Sequence, residues 1–350
     1  MVSFLSYNRT MKNDNWQVVG HEKNIKFLQK NIANNKLAHA YLFAGKPHLG
    51  KTLTAQKFMA AVLCRDYHRQ NKIENKSEPC GQCVFCSQVN KGIYPDAYYL
   101  KKETDKKNIS VEQVREIQKL LSLASFLNSY KIVLIEKAED LSESSQNALL
   151  KIFEEPKGKT ILILLASDYK LLLPTLVSRC QLIKFLPLAD KLIFEHLIDL
   201  GASREQAKLL SALAHGQIGL AVDFYKNPDF FQAHQDRIRQ FFNLFELNLV
   251  ERFNFINELL GDAGNNAEMN KYLDEELDCW QQVLRDILLQ HYGLDSMIAS
   301  LNFKNEVVNL SQKYSAPRII SLLEQIKTAK KFLDYNINPR LAVENLLLNF

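Results

Sequence analysis

No apolar run in this 350-residue chain approaches the ~18–20 residues needed to span a bilayer. Runs such as Ile161–Ala166 stop far short, and the N-terminus lacks the apolar core of a secretory signal. These absences predict a cytoplasmic protein with no membrane partner. No internal repeat is evident. One-sided charge is missing too: 44 lysines and arginines face 39 aspartates and glutamates, a net charge of +5. A domain built mainly on phosphate contacts usually carries a stronger, clustered basic bias, so charge alone neither assigns nor excludes nucleic acid. The one charge-dense segment, KKETDKK at 101–107, reads as an exposed loop. What is present is the balance of a compact globular protein, 47% hydrophobic and 24% charged. At ~100–200 residues per domain, the length predicts two or three domains.

Residues 40–44 (AYLFA) form a short apolar run that stops at glycine, as a buried strand feeding a loop does. From Lys51 onward Ala55, Phe58, Met59 and Val62 recur at helical spacing. The pattern is strand, glycine loop, helix. Further strand-length runs at 131–135, 160–165 and 181–185 alternate with helical patterns or polar loops, which predicts an α/β fold with a parallel sheet flanked by helices. The helix between the first two of these runs, Ser145 to Glu155, halts at Pro156. Beyond about residue 186 strand signals give way to helical ones: a small lid over 190–225 ending in HGQIGLA, then longer helices from about residue 228, including 268–292 around Trp280, 317–335 and 339–349.

GKPHLGKT, Gly45 to Thr52, fits G-x-x-x-x-G-K-[ST] at every position. In such a loop the glycines let backbone N–H groups turn toward phosphate oxygens at the start of a helix, where the dipole also favours an anion. Lys51 would reach the terminal phosphates and Thr52 would hold Mg²⁺. The predicted site for ATP or ADP with Mg is therefore Gly45, Lys46, Pro47, His48, Leu49, Gly50, Lys51 and Thr52, against the plainer reading of a glycine turn. Hydrolysis asks for more: a carboxylate near the magnesium and usually a second that positions or deprotonates the attacking water. At the end of the 131–135 run Glu136 can take the first role, but Lys137 follows, and an ammonium cannot act as a general base. The second role stays vacant unless Glu139 reaches round; as a plain alternative, 136–140 is a charged loop capping a strand.

Four of the six cysteines fall in one 23-residue window, as Cys64-x15-Cys80-x2-Cys83-x2-Cys86. In a reducing compartment such clustering points to metal rather than disulfides. Four thiolates favour tetrahedral zinc and leave no open position for chemistry, so the expectation is a structural Zn site, with an iron–sulfur cluster or free thiols as the alternatives.

SQNALLKIFEEP (145–156), LLPTLVSRCQ (172–181) and NINPRLAVENLLL (336–348), together with the cysteine module after the phosphate loop, resemble the clamp-loader branch of the AAA+ proteins, and within it the delta-prime type of bacterial DNA polymerase III subunit. The resemblance covers nearly the whole chain and is weakest through 190–330. It implies an AAA+ P-loop domain to about residue 186 with a zinc module at 64–86, a helical lid to about 228, and an all-α collar that associates with sister subunits to the end of the chain.

In that family five subunits form a spiral that places a sliding clamp on primed DNA, with ATP sites between neighbours. The implied partners are the motor (tau/gamma) and delta subunits, the sliding clamp, and primer-template DNA inside the complex. The arginine of the Ser-Arg-Cys motif, here Arg179, is implied to reach in trans into the adjacent subunit's site; an ordinary surface ion pair is the alternative. Motor subunits carry Asp-Glu where this chain has Glu136-Lys137. Ala166-Ser167-Asp168 matches the sensor region weakly, and Gln217 stands where an arginine sensor would be. The intact phosphate loop pulls the other way. The resulting expectation is a non-motor subunit that binds nucleotide without turnover. The competing readings are an active ATPase motor of the same loader, or a zinc-dependent nucleic-acid module, for which the neutral-to-acidic EPCGQC approach and Phe85 offer little.

Overall fold

The computed structural model of the chain describes residues 16–64, 79–103, 106, 108–126, 130–261, 266–334, 338–348 and 350. Outside the described residues lie most of the N-terminal stretch read for a signal, residues 104, 105 and 107 of the charged loop, Glu78 of the cysteine approach and residues 336 and 337 of the C-terminal motif. Two compact units emerge. One runs to His196 and takes in Gly216–Gly219; the other holds Leu197–His215 and Leu220–Phe350.

In the first unit the described elements are α1 (Glu22–Ala33), β1 (Ala40–Ala44), α2 (Lys51–Leu63), α3 (Val84–Asn90), β2 (Ala97–Leu100), α4 (Val111–Ser122), β3 (Lys131–Ile135), α5 (Glu143–Glu154), β4 (Thr160–Ala166), α6 (Pro174–Val177) and β5 (Gln181–Lys184). The five strands form one sheet in the order β2-β3-β4-β1-β5, and every pairing is parallel. Every residue of β1, β3 and β4 is buried, as a parallel sheet covered on both faces requires. Alternate side chains then feed two cores. Tyr41, Phe43, Leu134 and Ile163 meet Ile25 and Leu28 of α1 and Phe58 and Met59 of α2 on one face. Leu42, Val133, Leu162 and Leu164 meet Val114 of α4 and Leu149 and Phe153 of α5 on the other.

The expected strands at 40–44, 131–135 and 160–165 are present, the last one residue longer, and the fourth ends at Lys184. β2 is an addition: its four residues, AYYL, are half tyrosine, and only its two ends are buried. The helix expected from Ser145 begins at Glu143, because the Ser142 hydroxyl accepts the Ser145 N–H at 3.2 Å as an N-cap. It stops one residue before Glu155, ahead of Pro156.

From residue 190 onward the described elements are helical: α7 (Asp190–Asp199), α8 (Arg204–Leu213), α9 (Ile218–Lys226), α10 (Pro228–Leu244), α11 (Leu249–Leu260), α12 (Asn266–His291), α13 (Lys304–Lys313), α14 (Ala316–Asp334) and α15 (Pro339–Leu347), with short 3₁₀ turns before α13. The second unit is centred on aromatic rings. Phe241 lies 5.6 Å from Trp280 and 5.7 Å from Phe350, ring centre to ring centre, within the range in which aromatic pairs add to simple burial. Among the described residues no helix is long and apolar enough to cross a membrane.

Candidate functional site

β1 delivers the chain to Gly45 at the C-terminal edge of the sheet, where open α/β sheets bind ligands. A Cβ at Gly45 would lie 2.2 Å from the Phe185 carbonyl oxygen, so only glycine fits. His48 and Gly50 take left-handed backbone conformations, φ +58° and +86°, and Gly50 opens α2. Three neighbours fix the loop. The Gly219 N–H donates to the His48 carbonyl at 2.8 Å, a His21 ring nitrogen lies 3.0 Å from the Leu49 carbonyl, and Leu49 itself is buried. Lys46, Pro47, His48 and Thr52 are exposed. The Lys51 ammonium turns back onto the loop, donating to the Gly45 carbonyl and, at 2.6 Å, to the Lys46 carbonyl. Burial lowers its pKa to about 8, against the opposing pull of the Glu139 charge.

The acids after β3 separate. Glu136 and Lys137 are both exposed, and the Glu136 charge is felt by Tyr99, whose hydroxyl pKa is raised first by burial and then by that carboxylate. A 3₁₀ turn over Ala138–Asp140, pinned by the buried Ala138, swings Glu139 back over the end of β4. There Glu139 Oε1 accepts the Ser167 backbone N–H at 3.0 Å and the Ser167 hydroxyl, while Oε2 is buried without a partner. Glu139 is thus the acid whose charge acts on Lys51.

The four cysteines converge. Cys64 ends α2, Cys83 caps α3 and Cys86 sits in its first turn. Sulfur separations are 3.6 Å for Cys64–Cys80, 3.9 Å for Cys64–Cys83 and 4.0 Å for Cys80–Cys86, and all four lie within 4.8 Å of one another. Four sulfurs at ~2.3 Å from a single tetrahedral ion would stand about 3.8 Å apart, so the donor set fits one zinc. A four-iron cluster places each thiolate on a different iron and a two-iron cluster splits them two and two, so either calls for wider spacing between some of the sulfurs. The N–H groups of Cys83 and Cys86 donate to the sulfurs of Cys80 and Cys83 at 3.3 and 3.4 Å, contacts that favour thiolates. Without a cation, the neighbouring Cys64 thiol and burial push the Cys86 pKa up; a bound dication reverses that balance. Phe85 faces inward, edge-on to Tyr94 at 6.0 Å.

Arg179 lies elsewhere. It stands two residues before β5, whose first residue is level with Tyr41 of β1, and so belongs to the N-terminal edge of the sheet. At about 3.3 Å per residue the strands put roughly 15–20 Å between it and the phosphate loop. Its guanidinium pairs with Glu154 at 2.9 Å and donates to the Thr175 carbonyl at 3.0 Å, with 38% of the side chain exposed. The phosphate loop, Glu139 and Ser167 therefore share one end of the sheet, the cysteines sit beyond α2, and Arg179 is at the opposite end. Neither the Glu139–Ser167 contact nor the Glu154 partner was readable from spacing.

A family model described as DNA polymerase III, delta subunit, matches residues 20–189. DNA polymerase III subunit delta' of Bacillus subtilis is 28% identical over 331 residues, 93% of this chain and 94% of that one. Along nearly its whole length the chain is thus similar to a delta' subunit of DNA polymerase III. The delta' subunit of Pseudomonas aeruginosa is 37% identical over 143 residues, 41% of this chain and 42% of its own length. The similarity extends to DNA polymerase III subunit tau of Bacillus subtilis, 25% identical over 353 residues, 93% of this chain and 59% of that one. The phosphate loop, the four cysteines, Glu139 and Arg179 all fall inside the span that the family model covers.

Proposed function

We propose that this chain is a non-motor AAA+ subunit of the DNA polymerase III clamp loader, which helps place the sliding clamp on primed DNA and lends Arg179 to a neighbour's ATP site. The observation that carries this reading is the position of Arg179 at the N-terminal edge of the sheet, away from its own phosphate loop. An exposed guanidinium there can serve only a site outside its own nucleotide pocket. Its planar fork suits charge developing on a transferred phosphoryl group. Lys137 supports the non-motor half of the proposal, since the position after the strand-end acid holds a cation.

In this reading the AAA+ part to about residue 186 holds ATP or ADP with Mg through Gly45–Thr52, with Glu136 on the metal side. A lid to about 228 and a collar beyond it join the chain to the motor (tau/gamma) and delta subunits, with primer-template DNA inside the assembly. Cys64, Cys80, Cys83 and Cys86 hold a structural zinc that ties the end of α2 to the start of α3. A zinc with four protein ligands supplies no reactive position. The second reading, a motor that turns over its own ATP, draws on one observation: the Glu139 charge acts on Lys51.

The deciding experiment is ATP turnover, stimulated by clamp and primed DNA, in assemblies carrying Arg179→Ala or Lys51→Ala. Slower turnover with Arg179→Ala and unchanged turnover with Lys51→Ala is the expected pattern. A large loss with Lys51→Ala in an intact assembly would instead make this chain a motor.

A further inference from the structure

In the phosphate-loop pocket the groups that would meet a third phosphate are already engaged or are of the wrong charge. The register of β1 and β4 pairs Ala44 with Ala166, so Gly45 and Ser167 leave adjacent strand ends side by side. Ser167 is the polar donor at that edge, and both its N–H and its hydroxyl are given to Glu139 Oε1. The second oxygen of the same carboxylate is buried and has no partner, and the Glu139 charge acts on Lys51. Lys51 is drawn toward the Gly45 and Lys46 carbonyls at the base of the loop. Gln217, a neutral side chain, is buried in the segment that docks on the loop through Gly219 and His48.

The cradle for the inner phosphates is untouched by this arrangement. The start of α2, opened by Gly50, still presents backbone N–H groups and the positive end of a helix dipole to an anion. The fixed negative charge that acts on Lys51 is that of Glu139, in a partly desolvated pocket where like charges repel far more than in water.

We propose that Glu139, anchored on Ser167, occupies the place of a nucleotide's third phosphate, so that this site selects a nucleoside diphosphate over a triphosphate. The proposal rests on the reading of Gly45–Thr52 as a nucleotide site and goes beyond it in naming the ligand class and the residue that sets it. It makes Glu139 a specificity residue rather than a general base: a base needs the third phosphate in place, and the carboxylate opposes its arrival.

The test is equilibrium titration of the full chain with ADP and with ATP, each in excess Mg²⁺, for the wild type and for Glu139→Gln, with a thermal melt of each protein. The wild type should bind ADP at least tenfold more tightly than ATP. Glu139→Gln should narrow that gap by strengthening ATP binding severalfold while leaving ADP unchanged. Equal wild-type affinities would overturn the selectivity and leave the nucleotide site standing. Weaker Mg-dependent ATP binding in Glu139→Gln would also overturn it, by assigning the carboxylate to the metal. No binding of either nucleotide by the wild type would remove the nucleotide site itself, and the selectivity with it.

Discussion

Arg179 and Glu154 form a 2.9 Å ion pair at the N-terminal edge of the parallel sheet, with both side chains substantially exposed. A pair in that setting contributes less than about 1 kcal/mol to stability. Arg179→Ala should therefore leave the melting temperature of the isolated chain almost unchanged. In a reconstituted assembly the same substitution should lower ATP turnover by roughly 10³-fold or more, the scale of a trans arginine. Arg179→Lys should fail to restore it, because a point charge cannot reproduce the planar fork. Equal turnover by the lysine variant and the wild type would reduce Arg179 to a surface charge.

The cysteine cluster predicts one zinc per chain in protein purified without chelator. Cys86→Ser should lose that zinc and lower the melting temperature, since Cys86 is buried and its sulfur lies 4.0 Å from that of Cys80. The mechanism is the coupling of metal binding to folding: the sequence between Cys64 and Cys80 offers few apolar residues of its own. Metal analysis well below one zinc per chain would refute the site. A visible iron–sulfur absorbance in fresh protein would reassign it.

Four strands could be read directly, and three of them, β1, β3 and β4, are buried at every residue, all apolar but Lys131 and Thr160. β2 escaped because an edge strand of four residues, half of them only partly buried tyrosines, leaves a run too short to stand out and no clean alternation. The cysteines were legible because residue type and spacing alone specify a thiolate knuckle. Glu139 was not. Its direction depends on the 3₁₀ turn at Ala138–Asp140 and on the Ser167 donors, and no periodicity encodes how a turn aims the side chain inside it. The same holds for Arg179, whose motif was visible but whose end of the sheet follows only from the register of β5 on β1.

Gly219 tests the packing behind the phosphate loop. A Cβ there would stand 3.0 Å from the His48 carbonyl oxygen and 3.2 Å from its Cα, both backbone atoms. Alanine ordinarily gains up to ~1 kcal/mol over glycine in a helix, but here the loop must move to admit the methyl group. Overpacking of this kind typically costs about 1–3 kcal/mol. Gly219→Ala should thus be destabilising in urea unfolding and should weaken ADP binding, because the displaced residue belongs to the phosphate cradle. A variant more stable than wild type with unchanged ADP affinity would mean that the contact is soft.

The second unit carries its own pH sensitivity at His234. Its ring lies 4.9 Å from that of Phe224, and burial first, then the charges of Arg237 and His215, lowers its pKa from 6.5 to about 4. The sign follows from linkage. Below pH 6.5 the unfolded chain binds a proton at this position and the folded chain does not, so stability falls as pH drops from 6.5 toward 4. A single group gives a slope of at most ~1.4 kcal/mol per pH unit, and the partial solvent access of His234 reduces it. His234→Phe keeps an aromatic ring against Phe224 but cannot titrate. Urea unfolding at pH 7, 6 and 5 should show a smaller acid loss in His234→Phe than in the wild type. Parallel pH profiles for the two proteins would transfer the acid sensitivity to other groups.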